Sequence, residues 1–372
     1  MKGTERDAES SALQVIESAH RPNEAWDRMA EEAPGGTYCH LAGWHTIMTE
    51  VLGHEAHYLE ARNPEGGLEG ILPLVRVKSL LFGDYLVSVP FLNYGGPIGT
   101  PEACRVLTGQ ALQLATERGV DLMELRCRSR KQLSSDHVRK QEDEEDAATP
   151  ESPLVVTGRK ITVVLPLPDE VDKLWKGTLR SKVRSQVRKP MKEGLEARIG
   201  PDQVEPFYEV FAQNMRDLGT PVLPVELFRA LPRVFDDRVV FCVVYRDDEP
   251  VAGGCGFFCA GEFEITWASA LREHSRAAPN MLLYWEMMKH ALETGAGAFN
   301  FGRCSPDGGS HRFKSQWGGH DEPLPWTAWA PDGAVETPNP EQGKYALAVS
   351  LWQKLPLPLT RVLGPPLARR IP

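Results

Sequence analysis

The stretch Ala298-Phe-Asn-Phe-Gly-Arg-Cys-Ser-Pro-Asp-Gly-Gly-Ser-His-Arg-Phe-Lys-Ser-Gln-Trp-Gly-Gly319 begins with the alternation of a half-buried strand and ends in a charged loop. Phe299 and Phe301 fall on one side of that strand, Asn300 and Gly302 on the other. Ser305 to Gly309 then predicts a turn, because Pro306 fixes its own φ while Gly308 and Gly309 accept φ > 0. The chain leaves through His311, Arg312, Phe313 and Lys314 and reaches Trp317. Arg303, His311, Arg312 and Lys314 are thereby grouped with two aromatic side chains. A buried scaffold that carries a polar, charged loop is a common way to build a site. A solvated loop with ordinary surface cations is the plain alternative.

Outward from this stretch, strands and helices alternate. A helix is predicted over 280–292, and a hairpin over 236–245 and 251–258 around Arg246-Asp-Asp-Glu-Pro250. Helices are predicted over 204–218 and 225–234. Nearer the N-terminus, a hairpin spans 57–62 and 68–77, helical spacing runs over 102–118, and a strand follows at 121–126. This alternation predicts an α/β layered fold with mixed sheets. Residues 134–153 break the pattern: Glu142-Asp-Glu-Glu-Asp146 repel one another and almost no apolar residue is present. The expected domains are 1–150, ending in this acidic linker, then 151–345, and a Pro-rich tail over 346–372. Residues 1–22 read as polar and loose.

A formal net charge of −9 argues against general nucleic-acid binding while leaving room for a local basic groove. One such groove is expected on a helix that starts at Asp169 and stops or kinks by Lys189, before Pro190. Lys176, Arg180, Lys182, Arg184, Arg188, Lys189 and Lys192 lie on it, and no acid interrupts 176–192. Arg forks grip phosphate oxygens in pairs, so the stripe fits an anionic ligand; a solvated basic face is the alternative. Lys314 and the Arg180 helix are expected to bound one anion-accepting cavity. His40, His45, His54 and His57 lack metal-ligand spacing, and no metal is expected. No Gly-x-Ser-x-Gly, P-loop or dinucleotide fingerprint occurs. Seven scattered cysteines without a Cys-x-x-Cys set predict reduced thiols. With no apolar leader, and with Val239 to Tyr245 far too short to span a bilayer, a cytoplasmic protein is expected, with the inner membrane face as a peripheral location.

Phe299-Asn-Phe-Gly-Arg-Cys-Ser-Pro306 followed by Arg312-Phe-Lys-x-x-Trp-Gly318 resembles the C-terminal signature of FemAB-type transferases. More narrowly, it resembles FemAB-like proteins associated with exopolysaccharide and PEP-CTERM export systems. Leu72-Pro-Leu-Val75, Pro90-Phe-Leu-Asn-Tyr-Gly-Gly96 and Leu179-Arg-Ser-Lys-Val-Arg184 extend the resemblance to most of the chain. It implies tandem GNAT-like domains facing a shared cleft and an N-acyltransferase that moves an acyl or aminoacyl group to an amine of an envelope precursor. It also implies that Phe313 shapes the donor channel and that Lys314 neutralises donor phosphate or the oxyanion.

Arg303 and Arg312 are expected as further anion contacts, and His311 is either a proton acceptor or a surface histidine. His40, Trp44, Asn93 and Tyr94 either line an acceptor pocket or pack in a core. No tightly bound cofactor is expected, with acyl-CoA or aminoacyl-tRNA as co-substrate. Before the 280–292 helix the chain has Arg276-Ala-Ala-Pro-Asn-Met281 where acyl-CoA enzymes carry glycines, which weakens the case for acyl-CoA. The expected partners are an anionic small-molecule or lipid-linked precursor and the tRNA acceptor end. The rival reading is a non-catalytic binding subunit of a polysaccharide-assembly complex, docked through the Pro-rich tail or held at a membrane surface through Trp352, Arg369 and Arg370.

Overall fold

A computed structural model describes residues 12–18, 22–80, 82–133, 153–157, 160–335 and 343–371. The acidic run at 142–146 lies outside the described residues. Two compact units are formed, one from 1–160, 323–337 and 371–372, the other from 161–322 and 338–370.

The first unit carries strands β1 (Gln14–Ser18), β2 (Glu55–Arg62), β3 (Leu68–Ser79), β4 (Gly83–Val87), β5 (Ile98–Gly99), β6 (Leu122–Arg126), β7 (Val155–Val156) and β15 (Trp326–Trp329), with helices α1 (Glu24–Glu32), α2 (Gly43–Thr46) and α3 (Pro101–Arg118). The sheet order is β1-β2-β3-β4-β6-β15-β7, with β5 on β3. Helix α3 is set by its ends. The Thr100 side chain accepts from Ala103 N–H, Pro101 occupies the first turn, and Gly119 closes the helix at φ 59°. Its Ala103, Leu107 and Ala111 pack with Leu72 and Leu74 of the sheet. The segment read as loose at the N-terminus contains β1, which pairs antiparallel with β2 from Gln14↔Arg62 to Ser18↔Tyr58. A partner strand 40 residues away supplies the ladder that local sequence does not reveal.

The second unit carries β8 (Lys160–Pro166), β9 (Glu196–Ile199), β10 (Val239–Arg246), β11 (Glu249–Cys259), β12 (Glu262–Ala270), β13 (Ala298–Cys304) and β14 (His320–Leu324), in the order β14-β8-β13-β12-β11-β10-β9. Its helices are α4 (Val171–Lys173), α5 (Ser181–Lys192), α6 (Val204–Leu218), α7 (Val225–Phe235), α8 (Pro279–Glu293), α9 (Gly309–Ser315), α10 (Gly343–Trp352) and α11 (Leu357–Ala368). Both units repeat one pattern. Three antiparallel strands are followed by a crossing helix and a strand parallel to the third: β2-β3-β4-α3-β6 in one, β10-β11-β12-α8-β13 in the other.

Three local expectations change. The basic helix expected from Asp169 is broken: α4 passes into a π turn over Leu174–Thr178, Leu179 and Arg180 are extended, and α5 starts at Ser181. The Arg184 guanidinium holds the break by donating to the carbonyls of Trp175 (3.2 Å) and Leu179 (2.5 Å). Pro190 does not stop α5, which ends at Lys192, because a missing N–H in the last turn leaves one carbonyl without its helical donor. The tail after Trp352 forms α11, with Pro358 in its first turn, where an N–H would have no helical partner.

Candidate active site

The site is built where two parallel strands part. β12 and β13 pair only from Glu262↔Ala298 to Glu264↔Asn300, although β12 continues to Ala270 and β13 to Cys304. On its other edge β13 slips register against β8 between Asn300 and Arg303, and Gly302 takes φ 71° in that bulge. Asn300, 0% exposed, holds the geometry. Its Oδ1 accepts from Gly302 N–H (2.8 Å) and from the Thr162 hydroxyl (2.5 Å), and its Nδ2 donates to Glu262 (2.9 Å).

Beyond the bulge the chain turns through Asp307, the residue that takes positive φ (62°) in place of Gly308 or Gly309. Aspartate tolerates this region because its short side chain bonds locally. Residues 309–315, read as part of a loop, form α9. That helix carries Lys314 back onto the end of β13, where Nζ donates to the carbonyls of Gly302 (2.7 Å) and Arg303 (3.0 Å). Lys314 is 7% exposed. Burial pushes its pKa down to about 8, against the opposing pull of Cys304 and Glu264. Glu264, 2% exposed, sits at the last position of β12 that pairs with β13, and its charge acts on the buried Lys314 amine.

His311 lies on the rim of α9. Its Nδ1 accepts from Asp307 N–H (3.1 Å), so Nε2 carries the proton and donates to Asp321 (2.9 Å). Both ring nitrogens are engaged in this arrangement. Arg303 and Arg312 are exposed on the same segment.

Helix α8 joins this corner to the basic one. Tyr284 meets Phe313 edge-on at 5.0 Å and stacks on Phe301 at 5.7 Å, and the next residue, Trp285, meets Trp175 at 4.6 Å. Arg188 covers Trp175 at 5.1 Å, and the Lys189 ammonium donates to the Arg276 carbonyl just before α8. Leu174, Leu179 and Val183 from the basic side and Phe299, Phe301 and Trp317 from the strand share one core, against which Phe313 packs. Lys314 and the Arg180 segment are therefore attached to one hydrophobic body. Arg180 is exposed at the start of α5, whereas Arg184 is spent on backbone carbonyls. Two different outcomes are expected from replacing them. Arg184→Ala should lower the unfolding free energy by about 1–3 kcal/mol in urea, and Arg180→Glu should leave it within about 0.5 kcal/mol.

His40, Trp44, Asn93 and Tyr94 belong to the first unit. His40 is wholly buried: Nδ1 accepts from Thr37 N–H (3.2 Å) and Nε2 donates to the Gly96 carbonyl (2.8 Å). Burial lowers its pKa to about 4, so it is neutral. Trp44, also fully buried, donates to the Tyr38 carbonyl (2.9 Å). Tyr94 is buried beneath the Arg128 guanidinium (5.5 Å), and Asn93 is half-buried. These residues support a loop in which Val89 (φ 54°) and Phe91 (φ 70°) are left-handed, and Arg126 donates to the Leu92 carbonyl (2.9 Å) inside it. β-Branched and bulky residues adopt that region at a cost of about 1–3 kcal/mol each. Among the described residues no cluster of three metal-ligating side chains occurs.

Glu264, Asn300 and Tyr284 were not singled out from the sequence. The alternation at Phe299–Gly302 contains Asn300, but its role depends on Thr162 and Glu262, both distant in the chain.

Residues 179–315 match the acetyltransferase (GNAT) domain family. No curated protein matches the chain. Among solved structures, FemX is similar over 85% of this chain and 97% of its own, at TM-score 0.59 and 15% identity. A tandem GNAT protein from the clavulanic acid biosynthesis pathway covers 87% and 100%, at TM-score 0.51 and 13% identity. The DUF2156 C-terminal domain of a candidate lysylphosphatidylglycerol synthetase from Agrobacterium fabrum covers 84% and 89%, at TM-score 0.51 and 13% identity. The fold is thus mixed α/β with tandem GNAT-like units, and the split between β12 and β13 lies inside the GNAT match of the second.

Proposed function

We propose that the chain is a FemAB-like acyl- or aminoacyltransferase that modifies an amine of a cell-envelope or exopolysaccharide precursor, with its chemistry at the parting of β12 and β13. One observation carries this reading: a buried lysine with two of its donors fixed on the Gly302 and Arg303 carbonyls. As an ammonium it has one N–H left, held rigidly and largely out of water, where a donor is most effective on a developing oxyanion.

In the proposed reaction the acceptor's neutral amine attacks the carbonyl carbon of the donor. A C–N bond forms and the carbonyl oxygen becomes the oxyanion that Lys314 stabilises. The amine proton passes to a carboxylate, a role assigned in this proposal to the buried Glu264. The leaving hydroxyl or thiol then takes that proton from the carboxylic acid and departs as the carbonyl reforms. Phe313 and Tyr284 wall the donor channel, and Arg303, Arg312 and Arg180 attract the anionic parts of the substrates.

The start of α8 favours an aminoacyl donor over acyl-CoA. Pro279 has no N–H, Met281 N–H is already bonded to the Ala278 carbonyl (3.0 Å), and no glycine opens the turn. A pyrophosphate would find few backbone donors there. The FemAB-type signature at residues 299–306 and 312–318 supports an anionic small-molecule or lipid-linked precursor as acceptor.

Native mass spectrometry of ligand retained through purification, followed by transfer assays with aminoacylated tRNA and with acetyl-CoA, tests this reading. Retained or productive aminoacyl-tRNA is the expected result. Failure of transfer from both donors would reject the enzyme in favour of a binding subunit.

A further inference from the structure

The C-terminal helices expose several large apolar side chains that a helix packing only on its own unit would bury. α11 buries its small residues, Thr360, Gly364 and Ala368, and Gly364 lies so close to Val222 that an added methyl would come within 3.0 Å of the Val222 nitrogen. Its large side chains point outward: Leu359 is 41% exposed, Val362 70% and Leu363 43%. α10 does the same. Val349 packs over Gly219, while Leu347 and Leu351, one turn apart, are 65% and 58% exposed. Scattered surface leucines are ordinary, but five large apolar side chains concentrated on two consecutive helices mark an interaction surface.

Charge identifies what covers it. Residues 343–372 contain Lys344, Lys354, Arg361, Arg369 and Arg370 and not one Asp or Glu, in a chain whose net charge is −9. A second copy of the chain would set these like charges against each other across a twofold interface. An anionic bilayer surface satisfies both features, since basic side chains are drawn to acidic headgroups and apolar ones enter the acyl boundary. α11 has 12 residues, and Pro365 and Pro366 withhold two N–H donors from it, so it suits the interfacial plane and not a crossing. Among the described residues no helix is long and apolar enough to cross a membrane.

We infer that α10 and α11 are a peripheral docking surface for anionic lipid headgroups, seated through Leu347, Leu351, Leu359, Val362 and Leu363. This inference stands apart from the proposed chemistry, and its test uses no activity readout. The full chain is sedimented with vesicles of phosphatidylcholine alone and with vesicles about one-third phosphatidylglycerol. The intact protein should bind the anionic vesicles and be released by high salt. Val362→Asp with Leu363→Asp, and separately Arg369→Glu with Arg370→Glu, should each weaken binding at least about tenfold with unchanged thermal unfolding.

Three results would overturn the inference. One is absence of binding to anionic vesicles, and another is binding by either variant pair that equals that of the intact protein. The third is lipid-free self-association that the Val362/Leu363 pair abolishes, which would assign the surface to a second copy.

Discussion

Lys314→Met should lower the transfer rate at least about tenfold and remove its dependence on pH near 8. The side chain keeps its length but loses the ammonium, and with it the last N–H available to the reacting oxygen. In the native chain, turnover should decline as pH rises through about 8, where the buried amine gives up its proton. In the Met variant the residual rate should be flat across that range. An unchanged rate in the variant would remove Lys314 from the chemistry.

The same substitution has a signature in stability. The amine's pKa falls from 10.5 in the unfolded chain to about 8 in the folded one. Below pH 8 both states are charged, and burial of the charge costs about 3 kcal/mol. Between about 8 and 10.5 the folded chain has released a proton that the unfolded chain retains, so stability rises with pH over that window. Urea unfolding should therefore show the native chain gaining about 3 kcal/mol relative to Lys314→Met between pH 7.5 and pH 10.5. Parallel curves for the two proteins would mean that the amine is hydrated in the folded state. The variant also leaves the Gly302 and Arg303 carbonyls without their donor, so its absolute stability is a poorer test than the difference in slope.

Asn300→Leu should cost about 3–5 kcal/mol, a large effect for a change of nearly constant volume. Leucine removes the acceptor shared by Gly302 N–H and the Thr162 hydroxyl, and the donor to Glu262. All this occurs at a position with no solvent access. Each buried polar group left without a partner costs about 1–3 kcal/mol. The bulge at Gly302 should relax, shifting the carbonyls that Lys314 binds, so transfer should fall with stability. Asn300→Asp separates packing from hydrogen bonding: it keeps the acceptors but sets a second carboxylate beside Glu262. Its loss of stability should be greater at neutral than at acidic pH. A loss below about 1 kcal/mol for Asn300→Leu would show that the parting of the strands does not depend on this side chain.

Much of the second unit is legible because its signals are local. The hairpin at Arg246–Pro250 follows from turn residues between two apolar runs, and α6 follows from one unbroken helical spacing that Gly219 closes at φ 78°. The phenylalanine alternation before Gly302 places β13 correctly until the bulge. What fails is the reading of α5. Apolar spacing runs continuously across the break at Leu179 and Arg180, and the Arg184 contacts that stabilise the break are invisible in a list of charges. His40 and Trp44 show the same limit. A histidine near a glycine-rich loop reads equally as a pocket residue or a core residue, and its burial and its bonds to Thr37 and Gly96 lie outside any local pattern.

The alternation of strands and helices, the strand that carries Phe299 and Phe301, and the concentration of cations near positions 180 and 314 can all be read from the order of residues. These depend on residues within a few turns of one another. Long-range pairing, by contrast, is what lets β15, which lies in the chain between two parts of the second unit, complete the sheet of the first between β6 and β7. Packing within the second unit likewise buries Lys314 where the charge of Glu264 acts on it, and turns the large apolar side chains of α11 outward. Strand pairing and desolvation depend on groups far apart in sequence, and no local pattern encodes which of them meet.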